Sequence, residues 1–172
     1  MDSVAGELTD WLAQMPDVDP EVEALRQRIG RTARLFDRIL DQVAEQQQVS
    51  RGDWSALSVL VRAGRPCTPT ELMRELELTS GTISTRLKRL VAAGLAELVD
   101  GGTDARSRPV RPTRRGRRIW AAATAERTRR EAELVRRLGD SRVQTLNRGL
   151  GRLLETLEDE LGRSGEHDLP RE

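Results

Sequence analysis

The stretch that decides the fold is residues 68–94, which read TPTELMRELELTSGTISTRLKRLVAAG. Thr68, followed by proline and three residues later by glutamate, forms a capping box with proline at the first helical position, so a short helix starts here. Thr79 or Ser80 caps a second helix, which should end at Gly94. The stretch therefore predicts two helices joined by a tight turn, as in a helix-turn-helix motif.

The second of these helices has an apolar face and a polar face at about 100° per residue. The polar face combines hydroxyls, a glycine and cations, which suit close approach to a major groove, phosphate contacts and hydrogen bonds to base edges. The candidate DNA-reading residues are Ser80, Gly81, Thr82, Ser84, Thr85, Arg86, Lys88 and Arg89. An ordinary amphipathic surface helix would show a similar pattern.

A basic hairpin follows and favours DNA binding over the plainer interpretation. Residues 95–99 are predicted as a strand and 107–111 as its returning partner, with Pro109 suited only to an edge. Arg106, just past the tip, suits a narrow minor groove, and Asp104 could orient its guanidinium. The candidate residues of this wing and its flank are Asp104, Arg106, Arg108, Arg111, Arg114 and Arg115. A solvated arginine-rich surface is the competing interpretation.

Long helices are expected on both sides. Apolar residues recur at helical spacing over 22–43 and 143–161, and these stripes are too long for a lobe of about 60 residues to cover. Burial against a second copy of the chain is the economical solution, and an intramolecular helical hairpin is the alternative.

The expected fold class is mainly α with a small β-hairpin wing, a winged helix-turn-helix lobe plus long N- and C-terminal dimerisation helices. The expected division is 1–49 for the N-terminal dimerisation helices, 50–116 for the DNA-binding lobe, 117–164 for the C-terminal dimerisation helices and 165–172 for a mobile tail.

Charge is unevenly distributed behind a net value of +1. Residues 51–118 hold 14 basic and 7 acidic groups, which indicates an anionic partner, whereas residues 1–50 hold 5 and 10. With 37% hydrophobic and 33% charged residues, the chain is too apolar for a disordered protein and too charged for a membrane protein. The first residues lack a secretory signal's basic lead and apolar block, so a cytoplasmic location is expected.

Composition also argues against an enzyme or a metalloprotein. One cysteine and one histidine exclude an intrachain disulfide and a Cys/His zinc cluster. There is no phosphate-binding glycine loop and no nucleophile with a base partner, so we expect no catalytic residue, no metal and no cofactor. Cys67 is predicted to be a buried, inert thiol rather than a redox sensor.

Taken in order, the motifs resemble the MarR family of bacterial transcriptional regulators. The resemblance is carried by 68–72, 78–87, 90–95, 104–106 and 110–116. One departure is Pro112, where the family has leucine before Thr-x-x-Gly, which leaves the register of the second wing strand open. The resemblance implies an obligate homodimer with interlocked terminal helices, whose two lobes bind pseudo-palindromic double-stranded DNA with recognition helices ~34 Å apart.

The resemblance also implies a small-molecule effector, because family members often bind phenolic or anionic ligands between the dimer helices and the lobe. Trp11 and Arg86 match the tryptophan and arginine of the urate-responsive branch, whereas Ser55 stands at its aspartate position, which counts against urate. The candidate ligand-binding residues are Trp11, Trp54 and Arg86. Plain packing is the competing interpretation of both tryptophans.

The leading hypothesis is a sequence-specific DNA-binding transcriptional regulator, a ligand-responsive repressor acting as a homodimer. The alternatives are a winged-helix module that binds protein or only dimerises, and a protein that coats DNA without sequence preference. Salt-dependent DNA affinity would argue against the first alternative, and a preference for one DNA sequence would argue against the second.

Overall fold

The computed structural model describes residues 1–15, 17–99 and 108–162, and it confirms the mainly α fold with a small hairpin. Its elements are α1 (Ser3–Leu12), α2 (Pro20–Gln46), α3 (Arg51–Ala63), α4 (Pro69–Glu75), α5 (Ser80–Ala92), β1 (Ala96–Leu98), β2 (Val110–Pro112), α6 (Arg114–Arg136) and α7 (Asp140–Leu161). The chain divides into two units, residues 1–40 and 41–172.

In the first unit, polar contacts join α1 to the beginning of α2. The Asp2 carboxylate caps α1 by accepting from two backbone N–H groups, and it also pairs with Arg28. Arg31 pairs with Glu7 and lies over the Trp11 ring, with its guanidinium carbon 5.4 Å from the ring centroid. Trp11 is therefore a half-exposed partner of an arginine within this unit.

Four helices of the second unit begin at a side-chain cap, and those at Thr68 and Thr79 were predicted. Ser50 caps α3, Thr79 caps α5 and Thr113 caps α6, each through a side-chain oxygen that accepts from a backbone N–H three residues later. Thr68 forms the predicted capping box of α4. Such starts can be predicted because the capping side chain and the N–H group that it accepts from lie within four consecutive residues.

The two strands pair antiparallel, with Ala96 opposite Pro112 and Leu98 opposite Val110. The predicted returning strand, 107–111, is partly wrong, because β2 begins at Val110 and extends to Pro112. Val110 exchanges two backbone hydrogen bonds with Cys67, at 2.8 and 2.9 Å, so the start of β2 is paired with the segment before α4 as well as with β1. Residues 100–107 between the strands lie outside the described residues.

The core of the second unit lies between α3, α4, α5 and the strands. The described large side chains that are almost fully buried there include Leu57, Leu60, Leu72, Ile83 and Leu90. By contrast, α7 buries none of its residues within the chain. Its exposed apolar side chains are Leu146, Leu150, Leu154, Leu157 and Leu161. In the described residues, no helix is long and apolar enough to span a bilayer.

Candidate nucleic-acid interface

Helix α5 presents the predicted polar face. Ile83, Leu87 and Leu90 point into the lobe. Arg86 is half-buried. The other predicted contact residues are exposed, namely Ser80, Gly81, Thr82, Ser84, Thr85, Lys88 and Arg89. The structure therefore brings the predicted residues of this helix to one accessible surface.

The hydroxyls of this surface are not equivalent. Thr85 donates its hydroxyl to the Gly81 carbonyl at 3.0 Å, and the Thr82 hydroxyl lies 3.0 Å from that of Thr79. Ser80 and Ser84 form no side-chain hydrogen bond with the described residues. The two serines are thus the hydroxyls best placed to contact an external partner.

Arg89 is paired with Asp53, a residue of the first turn of α3 that the sequence did not single out. Nη2 of Arg89 donates to Oδ1 at 2.7 Å, and its Nε lies 3.2 and 3.1 Å from Oδ1 and Oδ2. The Asp53 side chain is 11% exposed, whereas that of Arg89 is 54% exposed. The hydrogen bond from Arg89 to Asp53 raises the pKa of the Arg89 guanidinium above its ordinary value.

Arg86 is held by the residue next to Asp53. Its Nη1 donates to the carbonyl oxygen of Gly52 at 3.2 Å. A β-carbon on Gly52 would lie 2.8 Å from the guanidinium carbon of Arg86, so the missing side chain makes room for the arginine. We call Gly52, Asp53, Arg86 and Arg89 the α3–α5 clasp. Because its bonded partners are 34 and 36 residues apart in the chain, no local pattern could reveal it.

The basic residues after α5 are partly engaged within the lobe. Arg111 pairs across the strands with Glu97 at 2.7 Å, and Arg115 donates to the Ala93 carbonyl at the end of α5 at 2.9 Å. Arg114 is exposed at the start of α6. The predicted minor-groove pair, Asp104 and Arg106, lies outside the described residues, so its role stays a prediction.

A groove of about 810 Å³ runs along α5 on the side of α4 and the strands. Ser84 and Lys88 line it together with Met73, Leu98 and Arg108. Arg108 is half-buried, and its Nε makes no hydrogen bond with the described residues. Of the predicted cations in the described part of the wing, Arg108 is the one that shares this groove with the polar face of α5.

The candidate ligand residues have different surroundings, each within its own unit. Trp54 is 7% exposed, and the guanidinium carbon of Arg127 lies 5.1 Å from its ring centroid. Its indole N–H has no hydrogen-bond partner among the described residues, and the same holds for the Trp120 indole and the Thr124 hydroxyl on α6. Arg86 belongs to the clasp, and Trp11 belongs to the other unit.

Cys67 is fully buried, as predicted. Burial raises the pKa of its thiol from an ordinary 9.0 to about 11. Because the thiolate is the reactive form, this shift disfavours reaction of Cys67 at neutral pH. Within the described residues, no group of three or more His, Cys, Asp or Glu side chains could hold a metal ion.

Comparisons with known proteins agree on the family. A model of the MarR family matches residues 47–107. The transcriptional regulator PecS of Dickeya dadantii (strain 3937) is 26% identical over 145 residues, which cover 83% of this chain and 87% of PecS.

Solved structures share the fold. Wild-type MarR from E. coli, in its apo form, superposes with a TM-score of 0.67 at 25% identity, covering 76% of this chain and 96% of MarR. A point mutant of S. aureus MepR, solved bound to an oligodeoxyribonucleotide, has a TM-score of 0.57 at 20% identity and covers 77% and 97% of the two chains. In its helix-turn-helix elements, its match to the family model over residues 47–107 and its likeness to these relatives, the chain is similar to the MarR family of transcription regulators.

Proposed function

We propose that this regulator is a repressor that binds a pseudo-palindromic double-stranded DNA site in the cytoplasm. The observation that carries the proposal is the accessible face of α5, where the Ser80 and Ser84 hydroxyls and Lys88 stand beside a basic wing. Hydroxyls and an unblocked glycine backbone suit contacts to phosphates and base edges, and surrounding cations add sequence-independent attraction. The fold carries an oligodeoxyribonucleotide in S. aureus MepR.

The second part of the proposal is a homodimer held by the terminal helices, residues 1–49 and 117–164. Five leucines of α7 are exposed in the single chain, and Val22, Leu25 and Ile29 of α2 are exposed as well. Such stripes on a protein surface mark an interface, and repetition of the same surface on a second copy gives a closed two-fold dimer. Two-fold symmetry would then match a palindromic site.

The third part is a small-molecule effector, which rests on the contact between α3 and α6. Three buried polar groups on these helices have no hydrogen-bond partner among the described residues: the indole N–H groups of Trp54 and Trp120 and the hydroxyl of Thr124. The cation Arg127 lies over the Trp54 ring. A ligand with hydrogen-bond acceptors would satisfy the three polar groups. An effector that prefers one arrangement of the lobes would shift the protein away from its DNA-binding state.

The test is a selection of genomic fragments by the purified protein, followed by affinity measurements on the best fragment and on a scrambled copy at two salt concentrations. We expect a short inverted repeat, bound at least ~1,000-fold more tightly than scrambled DNA. Equal, steeply salt-dependent binding to both would support a DNA-coating protein instead. Absence of salt-dependent affinity would support a protein-interaction module.

A further inference from the structure

Helix α5 carries three cations, Arg86, Lys88 and Arg89, and their side chains have different contacts. Both arginines are bound to the first turn of α3, whereas Lys88 is exposed and forms no hydrogen bond or ion pair with the described residues. Sequence alone made all three equal candidates for DNA contacts.

Asp53 cannot easily release Arg89. Its side chain is 11% exposed, and the Arg89 guanidinium occupies both of its oxygens. Departure of Arg89 to a DNA phosphate would leave a largely buried carboxylate without its partner, which is costly. Moving the arginine would therefore exchange one ionic contact for another and add a desolvation penalty.

Arg86 is likewise held in place, by packing against Gly52. The Arg86 guanidinium occupies the space where any larger residue at position 52 would place its β-carbon. The adjacent residues Gly52 and Asp53 thus accommodate two guanidinium groups that lie one helical turn apart on α5. This arrangement fixes how α5 is rotated about its own axis.

We propose that Asp53 is a positioning residue for DNA recognition, which withdraws Arg89 from the DNA and fixes the rotation of α5. The inference rests on the proposed function. It assigns DNA contacts on α5 to Ser80, Gly81, Ser84 and Lys88 and removes Arg86 and Arg89 from the contact set. Discrimination then depends on hydroxyls and on the close approach of the backbone, while sequence-independent attraction from α5 is reduced to one lysine.

The experiment measures DNA affinity against salt for Lys88→Gln and Arg89→Gln, a matched pair that each remove one charge from the exposed side of α5. The slope of log K against log salt falls by about 0.9 for each phosphate that the protein no longer neutralises. We expect Lys88→Gln to flatten the slope by about that amount. Arg89→Gln should lower the affinity for the selected repeat and leave the slope unchanged.

Asp53→Asn provides the opposite test. It keeps the shape of the side chain but frees the Arg89 charge, so binding to scrambled DNA should become stronger and its salt slope steeper by about 0.9. The preference for the selected repeat should fall about tenfold or more. Asp53→Glu should restore the wild-type slope, and adding Arg89→Gln to Asp53→Asn should do the same. A merely structural role for Asp53 would weaken all binding and would not steepen the slope.

Thermal melting followed by circular dichroism confirms that each variant is folded. If Asp53→Asn does not fold, the comparison of Arg89→Gln with Lys88→Gln decides alone. If both variants flatten the slope of log K against log salt equally while the wild type binds the selected repeat, the positioning role is overturned and the proposed function is retained. Absence of salt-dependent DNA affinity in the wild type overturns both.

Discussion

A β-carbon on Gly116 would lie 2.0 Å from the backbone carbonyl oxygen of Leu95. This close approach sets α6 directly against the chain entering β1, three residues after Thr113, whose backbone N–H donates to the same carbonyl. The glycine of the Thr-x-x-Gly motif is therefore required by packing, since its neighbour is backbone and cannot rotate away.

Gly116→Ala is expected to destabilise the protein by about 3 kcal/mol or more, at the upper end of the cost of overpacking. The measurement is urea unfolding followed by circular dichroism. Gly6→Ala in α1 is the matched control, because its β-carbon would meet nothing within 4 Å. That control should be neutral or stabilising by up to about 1 kcal/mol. Equal stability of the two variants would contradict the close approach.

Thr68→Ala should cost about 1 kcal/mol by removing the cap of α4. The Glu71 backbone N–H would lose its acceptor, and the Glu71 carboxylate, which also pairs with Arg65, would lose a hydroxyl partner. Thr70→Ala in the same turn is the control. The check is the difference in unfolding free energy between the two variants, which should vanish if the capping box is unimportant.

Leu157→Asp should convert the proposed homodimer into a monomer and abolish binding to an inverted repeat at the same time. Leu157 is 47% exposed in the single chain, and a buried aspartate without a partner would oppose pairing. Thr156→Asp adds the same charge one position away and serves as the control. Sedimentation equilibrium gives the mass. A folded Leu157→Asp monomer that binds the repeat with wild-type affinity would refute the dimer.

The stability of the protein should fall between about pH 9 and pH 11. The folded state holds Cys67 as a thiol with a pKa raised to about 11, so its contribution is complete below the ordinary value of 9.0 and is lost as the pH rises through the folded value. The chain has no tyrosine and one lysine, which limits other titrations in this window. Urea unfolding at several pH values tests this, and Cys67→Ala should give a flatter profile.

Local signals were predictable from the sequence, and long-range contacts were not. The caps at Ser50, Thr68 and Thr79 were predictable because the donor and acceptor lie within four residues. Caps and apolar periodicity together located α2, α4, α5 and α7 to within a few residues. The fold class followed from the order of these elements.

The missed features all depend on residues that are distant in the chain. The position of β2 is set by its pairing with Cys67, more than 40 residues earlier. The engagement of Arg89 by Asp53 depends on how α3 packs against α5, so the sequence indicated an available cation where the structure has an occupied one. The assignments of Asp104 and Arg106 to a minor groove stay predictions.

The exposed leucines of α7 have a consequence for the amount of protein in the cell. If α7 is covered by a second copy, folding and association are one equilibrium, and thermal stability rises with protein concentration. A newly made chain without a partner would present its leucines to chaperones and proteases. The amount of dimeric regulator would then depend more steeply than linearly on its rate of synthesis, so a modest change in expression would produce a larger change in DNA occupancy.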